Sequence, residues 1–293
     1  MKIAIYGQYY KLEDKIYVEE LLQELKIHNI EFVIEHNYYL GLKKHFPVLK
    51  AKTFSSHTEL DASFNFMFTL GGDGTILRAV TYIRDSNIPI VGINTGRLGF
   101  LATVKKEEIA TAIELILQKK YLIHKRTLLS VTTTPKNEGL ASLNFALNEV
   151  SVSRKNTASM ITVETYLDQE YLTSYWADGL IISTPTGSTG YSLSCGGPIL
   201  IPQAKSFVLT PIAPHNLNAR PLVIPDETKI KLMVSGRENK FFLSLDSRIT
   251  TINNKTEIFI EKSSFTLNIA EINHQTFIKT LRDKLLWGQD VRN

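Results

Sequence analysis

The chain has 293 residues, 43% hydrophobic and 21% charged, with a formal net charge of +4. That is the composition of an ordinary soluble globular protein, and so small an excess of basic residues, without a long basic run, argues against a nucleic-acid binder. The single cysteine, Cys195, excludes an intrachain disulfide framework and a cysteine-rich zinc site, and no apolar run approaches the ~20 residues needed to span a bilayer.

The opening MKIAIYGQYYKLEDK does not read as a signal peptide, since charges interrupt its apolar residues. A reducing, cytoplasmic location is the expectation. Ile3 to Tyr6 read as a short buried strand. The spacing from about Asp14 to Ile27 predicts a helix with Ile16, Leu21, Leu22 and Leu25 near one face. A second strand is predicted over Glu31 to Glu35 and a third over Phe64 to Leu70. The third breaks at Gly71-Gly72-Asp73-Gly74 and gives way to a helical pattern through Ile76, Leu77, Val80 and Ile83. Pro89 to Ile93 read as a fourth strand. Glu107 to Lys120 read as a helix with Ile109, Ala112, Ile113, Ile116 and Leu117 inward. Glu107 and Glu108 in its first turn and Lys119 and Lys120 in its last would suit the helix dipole. Strand and helix in alternation imply a parallel sheet covered by helices.

After about Lys125 the pattern changes to short strands, several alternating in polarity, as in IKLMV and FFLSL. They are predicted over Leu128 to Thr133, Phe145 to Val152, Met160 to Tyr166, Ser206 to Thr210, Lys229 to Val234, Phe241 to Leu245, Glu257 to Ile260 and Phe265 to Ile269. A last helix is predicted from Phe277, Ile278, Leu281, Leu285 and Leu286. Its apolar face needs a partner, and it is expected to pack back on the first domain. The domains expected are therefore an α/β domain over 1–125, joined by the helix within 271–293, and an all-β domain over 126–270.

Two stretches carry chemistry. Gly71-Gly72-Asp73-Gly74-Thr75 lies between a strand and a helix, where an open α/β sheet places its ligands. Three glycines allow close backbone approach, and the amides opening the helix can donate to phosphate oxygens. A carboxylate there would repel a bare phosphate, but suits a hydroxyl to be deprotonated or a phosphate-bound Mg²⁺. The structural alternative is that Asp73 caps the helix. Neither a Walker A loop nor a GxGxxG fingerprint is present.

The second stretch, Asp178 to Pro198, opens from a buried-looking strand into DGLIISTPTGSTGYSLSCGGP. Its hydroxyls and exposed amides suit sugar hydroxyls, amide edges or phosphates, and Tyr191 offers a face for a base. The alternative is a turn-rich loop whose hydroxyls satisfy nearby backbone. Asn148-Glu149 could grip a vicinal diol or be an exposed strand end. Arg97 could clamp a phosphate or be a solvated loop residue, and Phe100 could line a pocket or pack in the core. His215 and Arg220, between prolines, are read as structural.

LGGDGT at Leu70 to Thr75, GINTGRLGFL at Gly92 to Leu101, Asn148-Glu149, DGLIISTPTGSTGYSLSCGGPIL from Asp178 and PHNLNARPLVIP from Pro214 together resemble NAD kinases in identity, order and spacing. The glycine-aspartate turn alone is shared with lipid kinases and loosely with phosphofructokinases; the block from Asp178 to Gly197 separates them. The resemblance implies a Rossmann-like α/β domain with a parallel sheet, a C-terminal β-sandwich domain and a nucleotide site between them. It implies transfer of the γ-phosphoryl group of ATP to the 2′-hydroxyl of the adenosine ribose of NAD, with Mg²⁺, in a homodimer or homotetramer. By position Asp73 is the implied general base. Gly71, Gly72, Gly74, Thr75 and Arg97 would meet phosphates. Asn148 and Glu149 would hold the adenosine ribose, Asp178 would lie near the nicotinamide half, and Thr186, Thr189, Gly190, Tyr191, Ser194 and Phe100 would wall the pocket. No protein residue is assigned to the metal. Gly190 stands where alanine is common, which enlarges the pocket slightly. Leu245-Asp246-Ser247-Arg248 stands where the family often has Asp-Gly-Gln, so a different turn is expected and Asp246 receives no role. The rival readings are a lipid or sugar kinase built on the same turn, and a dinucleotide sensor without catalysis.

Overall fold

In a computed structural model the structure describes residues 1–96, 98–140, 142–156, 159–272 and 276–286. The chain forms two compact units, Met1–Lys125 with Leu267–Asn293, and Arg126–Thr266.

In the first unit, strands Lys2–Gly7, Glu31–Glu35, Lys52–Phe54, Phe66–Leu70 and Ile90–Asn94 form a parallel sheet. Phe66–Leu70 and Ile90–Asn94 are buried at every residue, as expected of parallel strands covered on both faces. Alternate residues (Ile3, Ile5, Phe66, Phe68, Val91 and Ile93) share one core with helices Lys15–Ile27 and Ile109–Leu117. Helix Asp73–Ile83 buries Ile76, Ala79, Val80 and Ile83 outside that core.

Three details of the helices differ from the sequence expectation. In Lys15–Ile27 the buried stripe is Val18, Leu21 and Leu25, whereas Ile16 is 70% exposed. The i, i+3, i+7 row that faces the sheet starts at Val18, and Ile16 lies on the far side of it. Ile109–Leu117 is shorter than expected and leaves Leu117 exposed. Lys119, at φ 57°, reverses the chain, and the Lys119 and Lys120 amides donate to the carbonyls of Ile116 and Leu115. The two lysines therefore form the stop signal beyond the helix, not its last turn. The final helix, Phe277–Leu285, is capped by the Thr276 hydroxyl, which accepts from the Lys279 amide. It buries Thr280 and Leu281 and exposes Ile278 and Leu286, and residues 287–293 of the predicted segment lie outside those described. The Phe277 ring lies 5.8 Å from that of Phe100, and Lys284 lies over the same Phe100 ring.

The second unit is antiparallel. One sheet has six strands in the order Leu222–Pro225, Ser206–Ile212, Gly179–Ser183, Glu149–Arg154, Lys240–Leu245 and Arg248–Asn253. The other pairs Glu170–Ala177, Ile161–Leu167, Ile230–Gly236 and Glu257–Glu271. Burial alternates along Ile161–Leu167, Ile230–Gly236 and Lys240–Leu245, so each sheet gives one face to a shared core that includes Val163, Leu232 and Val234 from one and Val152, Phe207 and Leu243 from the other. Glu257–Glu271 is one strand of 15 residues where two were expected. The expected strand over Phe145 to Val152 is instead broken into Phe145–Ala146 and Glu149–Arg154. The break falls where three successive amides turn away from the ladder, as described below. Among the described residues no helix is long and apolar enough to cross a membrane.

Candidate functional site

In the first unit the glycine turn follows Phe66–Leu70. Gly71 has φ 143°, a conformation closed to side-chain-bearing residues, and its α-carbon lies against Thr75. Gly72 and Gly74 are exposed, with open space beside them. Asp73 opens the helix but does not cap it. Its carboxylate reaches across to a second loop. Oδ2 accepts the Phe100 amide at 2.8 Å, and Oδ1 accepts those of Leu101 and Ala102, both at 3.0 Å. Gly99 leaves room for this, because a β-carbon there would overlap the Asp73 carboxylate. From within, Asn94 Oδ1 accepts the Gly96 amide, and its Nδ2 donates to the Ala102 carbonyl. A carboxylate has about four lone-pair sites. Three are occupied here, and the one remaining is on Oδ2. Phe100 thus gives its amide to Asp73 and its ring to Phe277 and Lys284. Arg97 lies outside the described residues.

In the second unit the break in the strand sets Asn148 and Glu149 in a clamp. On one side the loop after Gly179–Ser183 is stitched to them. The Thr184 amide donates to the Asn148 carbonyl at 2.9 Å and the Thr184 hydroxyl to that of Leu147 at 2.6 Å. Gly187 lies so close to the Asn148 carbonyl that no β-carbon fits. On the other side Asp246 accepts the amides of Leu147, Asn148 and Glu149 at 3.0, 2.7 and 3.3 Å. The backbone is thereby satisfied, but two side-chain atoms are not: Asn148 Oδ1 and Glu149 Oε2 are buried without a hydrogen-bond partner. A β-carbon at Gly190 would lie 3.5 Å from Asn148 Nδ2 and from Glu149 Oε2, so Gly190 borders the pair. Burial first, and then the Asp246 charge, push Glu149 up to about 8. Burial pushes Asp246 up as well, but its three amides and Arg248 pull it back. Both carboxylates are raised, and only Asp246 has amides and a guanidinium that pull the other way.

The hydroxyl-rich loop divides between two uses. Thr184, Ser188 and Ser192 are buried and serve the fold: Ser188 Oγ bridges the Pro185 carbonyl and the Leu200 amide, and Ser192 bonds Thr210. Thr186 is buried and its carbonyl accepts the Thr189 hydroxyl. Tyr191 and Ser194, on the short helix Tyr191–Ser194, are exposed. Asp178 makes a 2.8 Å ion pair with Arg154. Trp176, half-exposed, stacks on His215 at 4.5 Å, and Arg220 bonds carbonyls of its own loop. The structure thus gathers Gly71, Gly72, Asp73, Gly74, Thr75 and Phe100 in one unit. Asn148, Glu149, Thr186, Thr189 and Gly190 gather in the other. Sequence reasoning missed Asp246. The signal that could have found it is an aspartate at a turn between alternating strands, a residue type that tolerates positive φ.

The ATP-NAD kinase N-terminal domain family matches residues 4–121, and the ATP-NAD kinase C-terminal domain family matches residues 147–272. The chain is 58% identical to the NAD kinase of Flavobacterium psychrophilum and 43% identical to that of Cytophaga hutchinsonii, each over the whole of both chains. Among solved structures, an NAD kinase from Archaeoglobus fulgidus in complex with ATP superposes with a TM-score of 0.76 at 27% identity, covering 98% of this chain and 99% of that one. Yeast NADH kinase complexed with NADH shares the fold, with a TM-score of 0.88 at 21% identity over 99% of this chain and 88% of the other. With both family domains present in order and full-length relatives this similar, the chain belongs to the ATP-NAD kinase family.

Proposed function

We propose that this chain is a phosphotransferase that moves the γ-phosphoryl group of ATP to the 2′-hydroxyl of the adenosine ribose of NAD, giving NADP. The observation that carries the choice of acceptor is the pair of unpartnered buried oxygens, Asn148 Oδ1 and Glu149 Oε2, on successive residues of a clamped backbone. Buried polar atoms normally have partners, and an amide beside a carboxyl that can hold a proton suits the hydroxyls of a vicinal diol, which both donate and accept. Family membership supplies the reaction class.

In this reading residues 1–125 with the C-terminal helix form the triphosphate side, and 126–270 the dinucleotide side. Gly71, Gly72, Gly74, Thr75 and Arg97 meet phosphate oxygens. Asp178 serves the nicotinamide half, and Thr186, Thr189, Gly190, Tyr191, Ser194 and Phe100 bound the pocket. Phosphoryl transfer depends chiefly on in-line positioning and on neutralising charge. Asp73 orients the 2′-hydroxyl through the one free lone pair of Oδ2 and takes its proton late in the transfer, since a carboxylate is a weak base toward a sugar hydroxyl. No cluster of three or more metal-ligating side chains occurs among the described residues. In this reading Mg²⁺ is bound with the triphosphate, and Asp73 is the carboxylate that the glycine turn offers beside it. When bound, the cation neutralises charge on the phosphoryl group. The same reading includes a homodimer or homotetramer, which light scattering on the purified chain measures.

The test is to incubate the purified chain with NAD, ATP and Mg²⁺ and to assay NADP. NADP formation at a substrate-saturable rate is expected. Binding of NAD without product would replace the reading with a sensor, and indifference to NAD with a kinase for another acceptor.

A further inference from the structure

The acceptor pair stands on Asp246. This side chain is 3% exposed, at the turn between Lys240–Leu245 and Arg248–Asn253, with φ 52°. Its amide donates to the Glu149 carbonyl at 2.9 Å, while its carboxylate accepts the amides of Leu147, Asn148 and Glu149. Asp246 is thus bonded to both sides of the strand break. Arg248 lies 3.7 Å from the carboxylate and donates to the carbonyls of Leu143 and Phe145, just upstream of the break. The amides of residues 147–149 are engaged by Asp246, and their carbonyls by Thr184 and the Asp246 amide. Only the Asn148 and Glu149 side chains are left over.

We propose that Asp246 is a positioning residue for dinucleotide binding: it gathers three amides onto one carboxylate and so holds Asn148 and Glu149 as a single preorganised acceptor pair. This rests on the reading of that pair as the ribose site. A preorganised pair loses little freedom on binding, so its removal falls on affinity for the dinucleotide and not on the phosphoryl donor. The arrangement has a second consequence. The charged and titratable groups around Glu149 are Asp246 and Arg248 from the strand turn and Tyr191 from the short helix, with Cys195 and Asp178 next to Tyr191 in turn. Asp246 is the negative charge that raises Glu149, so its neutralisation lowers the pH at which Glu149 titrates.

The experiment compares Asp246→Asn, Glu149→Gln and the double variant in the full chain, measuring KM for NAD, KM for ATP, kcat and the pH profile of kcat/KM for NAD. Asp246→Asn is expected to raise KM for NAD by roughly tenfold or more, as loss of charge-assisted hydrogen bonds implies. KM for ATP should hold, and the limb of the profile near pH 8 should move to lower pH. In the Glu149→Gln background the same substitution should move no limb. Asp246→Glu, which keeps the charge but displaces the carboxylate, should raise KM for NAD and leave the limb in place; it also serves if Asp246→Asn does not fold. A wild-type KM for NAD in Asp246→Asn, or a limb that shifts equally without Glu149, overturns the proposal. Should the wild-type chain make no NADP, the reaction assignment falls instead, and calorimetric NAD affinities across the same variants still read the positioning role.

Discussion

Asp73 holds the loop at residues 100–102 and, in the proposed reaction, also orients the acceptor hydroxyl, and Asp73→Asn separates the two. An asparagine in the same rotamer can keep its oxygen toward the Leu101 and Ala102 amides, but its NH₂ then faces the Phe100 amide, donor against donor. One hydrogen bond to a charged acceptor is lost, at about 1.5–3 kcal/mol, and the two retained bonds weaken because their acceptor is now neutral. For a unit of this size each kcal/mol lowers Tm by roughly 2–4 °C, so a fall on the order of 5 °C is expected. Turnover should fall further than stability accounts for, by roughly 10²-fold or more if the carboxylate orients the hydroxyl and takes its proton. KM for NAD should change little. The assays are thermal unfolding, hydrogen exchange at the amides of residues 100–102, and steady-state NADP formation. An unchanged Tm with unchanged protection of those three amides would refute the tie to the second loop. Near-normal turnover would refute the catalytic role, whatever happens to stability.

Gly187→Ala places a methyl against the Asn148 carbonyl, and overpacking of this kind typically costs about 1–3 kcal/mol; the expected result is a raised KM for NAD with KM for ATP unchanged, read in the same kinetic assay. Phe277→Ala removes a ring contact with Phe100 worth about 0.5–1.5 kcal/mol beyond its buried area, and limited proteolysis should cut the C-terminal helix faster than in the parent chain. Glu149 is raised from 4.5 to about 8, so the folded state holds a proton that the unfolded chain releases above pH 4.5. Stability is therefore lost as pH rises from 4.5 through 8, and Glu149→Gln should match wild type in Tm at the acid end and exceed it increasingly toward pH 8.5. Parallel Tm curves across that range would remove the buried-acid assignment.

The fold class was legible because the two units differ in hydrophobic period. Runs such as FMFTL and IVGIN are nearly all apolar without alternation, as strands covered on both faces are, while IKLMV and FFLSL alternate in burial as half-covered antiparallel strands do. What the sequence hid was hairpin chemistry without the usual residues. Glu170–Ala177 was missed because its turn is Asp168-Gln169, where both residues take positive φ without a glycine. Arg248–Asn253 was missed for the same reason, behind the left-handed Asp246. The helix His36–Lys43 has no apolar stripe strong enough to announce it and depends on Glu35, whose side chain accepts the Tyr38 amide. In each case the deciding information is a single side chain or backbone angle, which a window average cannot see.

The site divides along the same line. Asp73, Asn148 and Glu149 were legible as residue types in suggestive places, but what they bind was not: the Asp73 partners are backbone amides far along the chain, and the amides of Asn148 and Glu149 are held by the equally distant Asp246. Composition gave capping as the plain alternative for Asp73, yet its oxygens bind residues 100–102 and leave its own helix uncapped. For the loop after Asp178, the structure bears out the reading in which hydroxyls satisfy nearby groups of the fold, at Thr184, Ser188 and Ser192. Thr184 and Ser188 bond backbone groups and Ser192 bonds the Thr210 hydroxyl, while the pair at Asn148 and Glu149 remains unsatisfied. An orphaned buried acceptor is informative only against a backbone that is otherwise fully bonded; on a loose loop it would turn to solvent or to a neighbouring amide. The strength of the proposed reading therefore lies less in Asn148 and Glu149 themselves than in Asp246, Thr184 and Gly187, which engage or crowd the backbone around them while their two side-chain oxygens stay unpartnered.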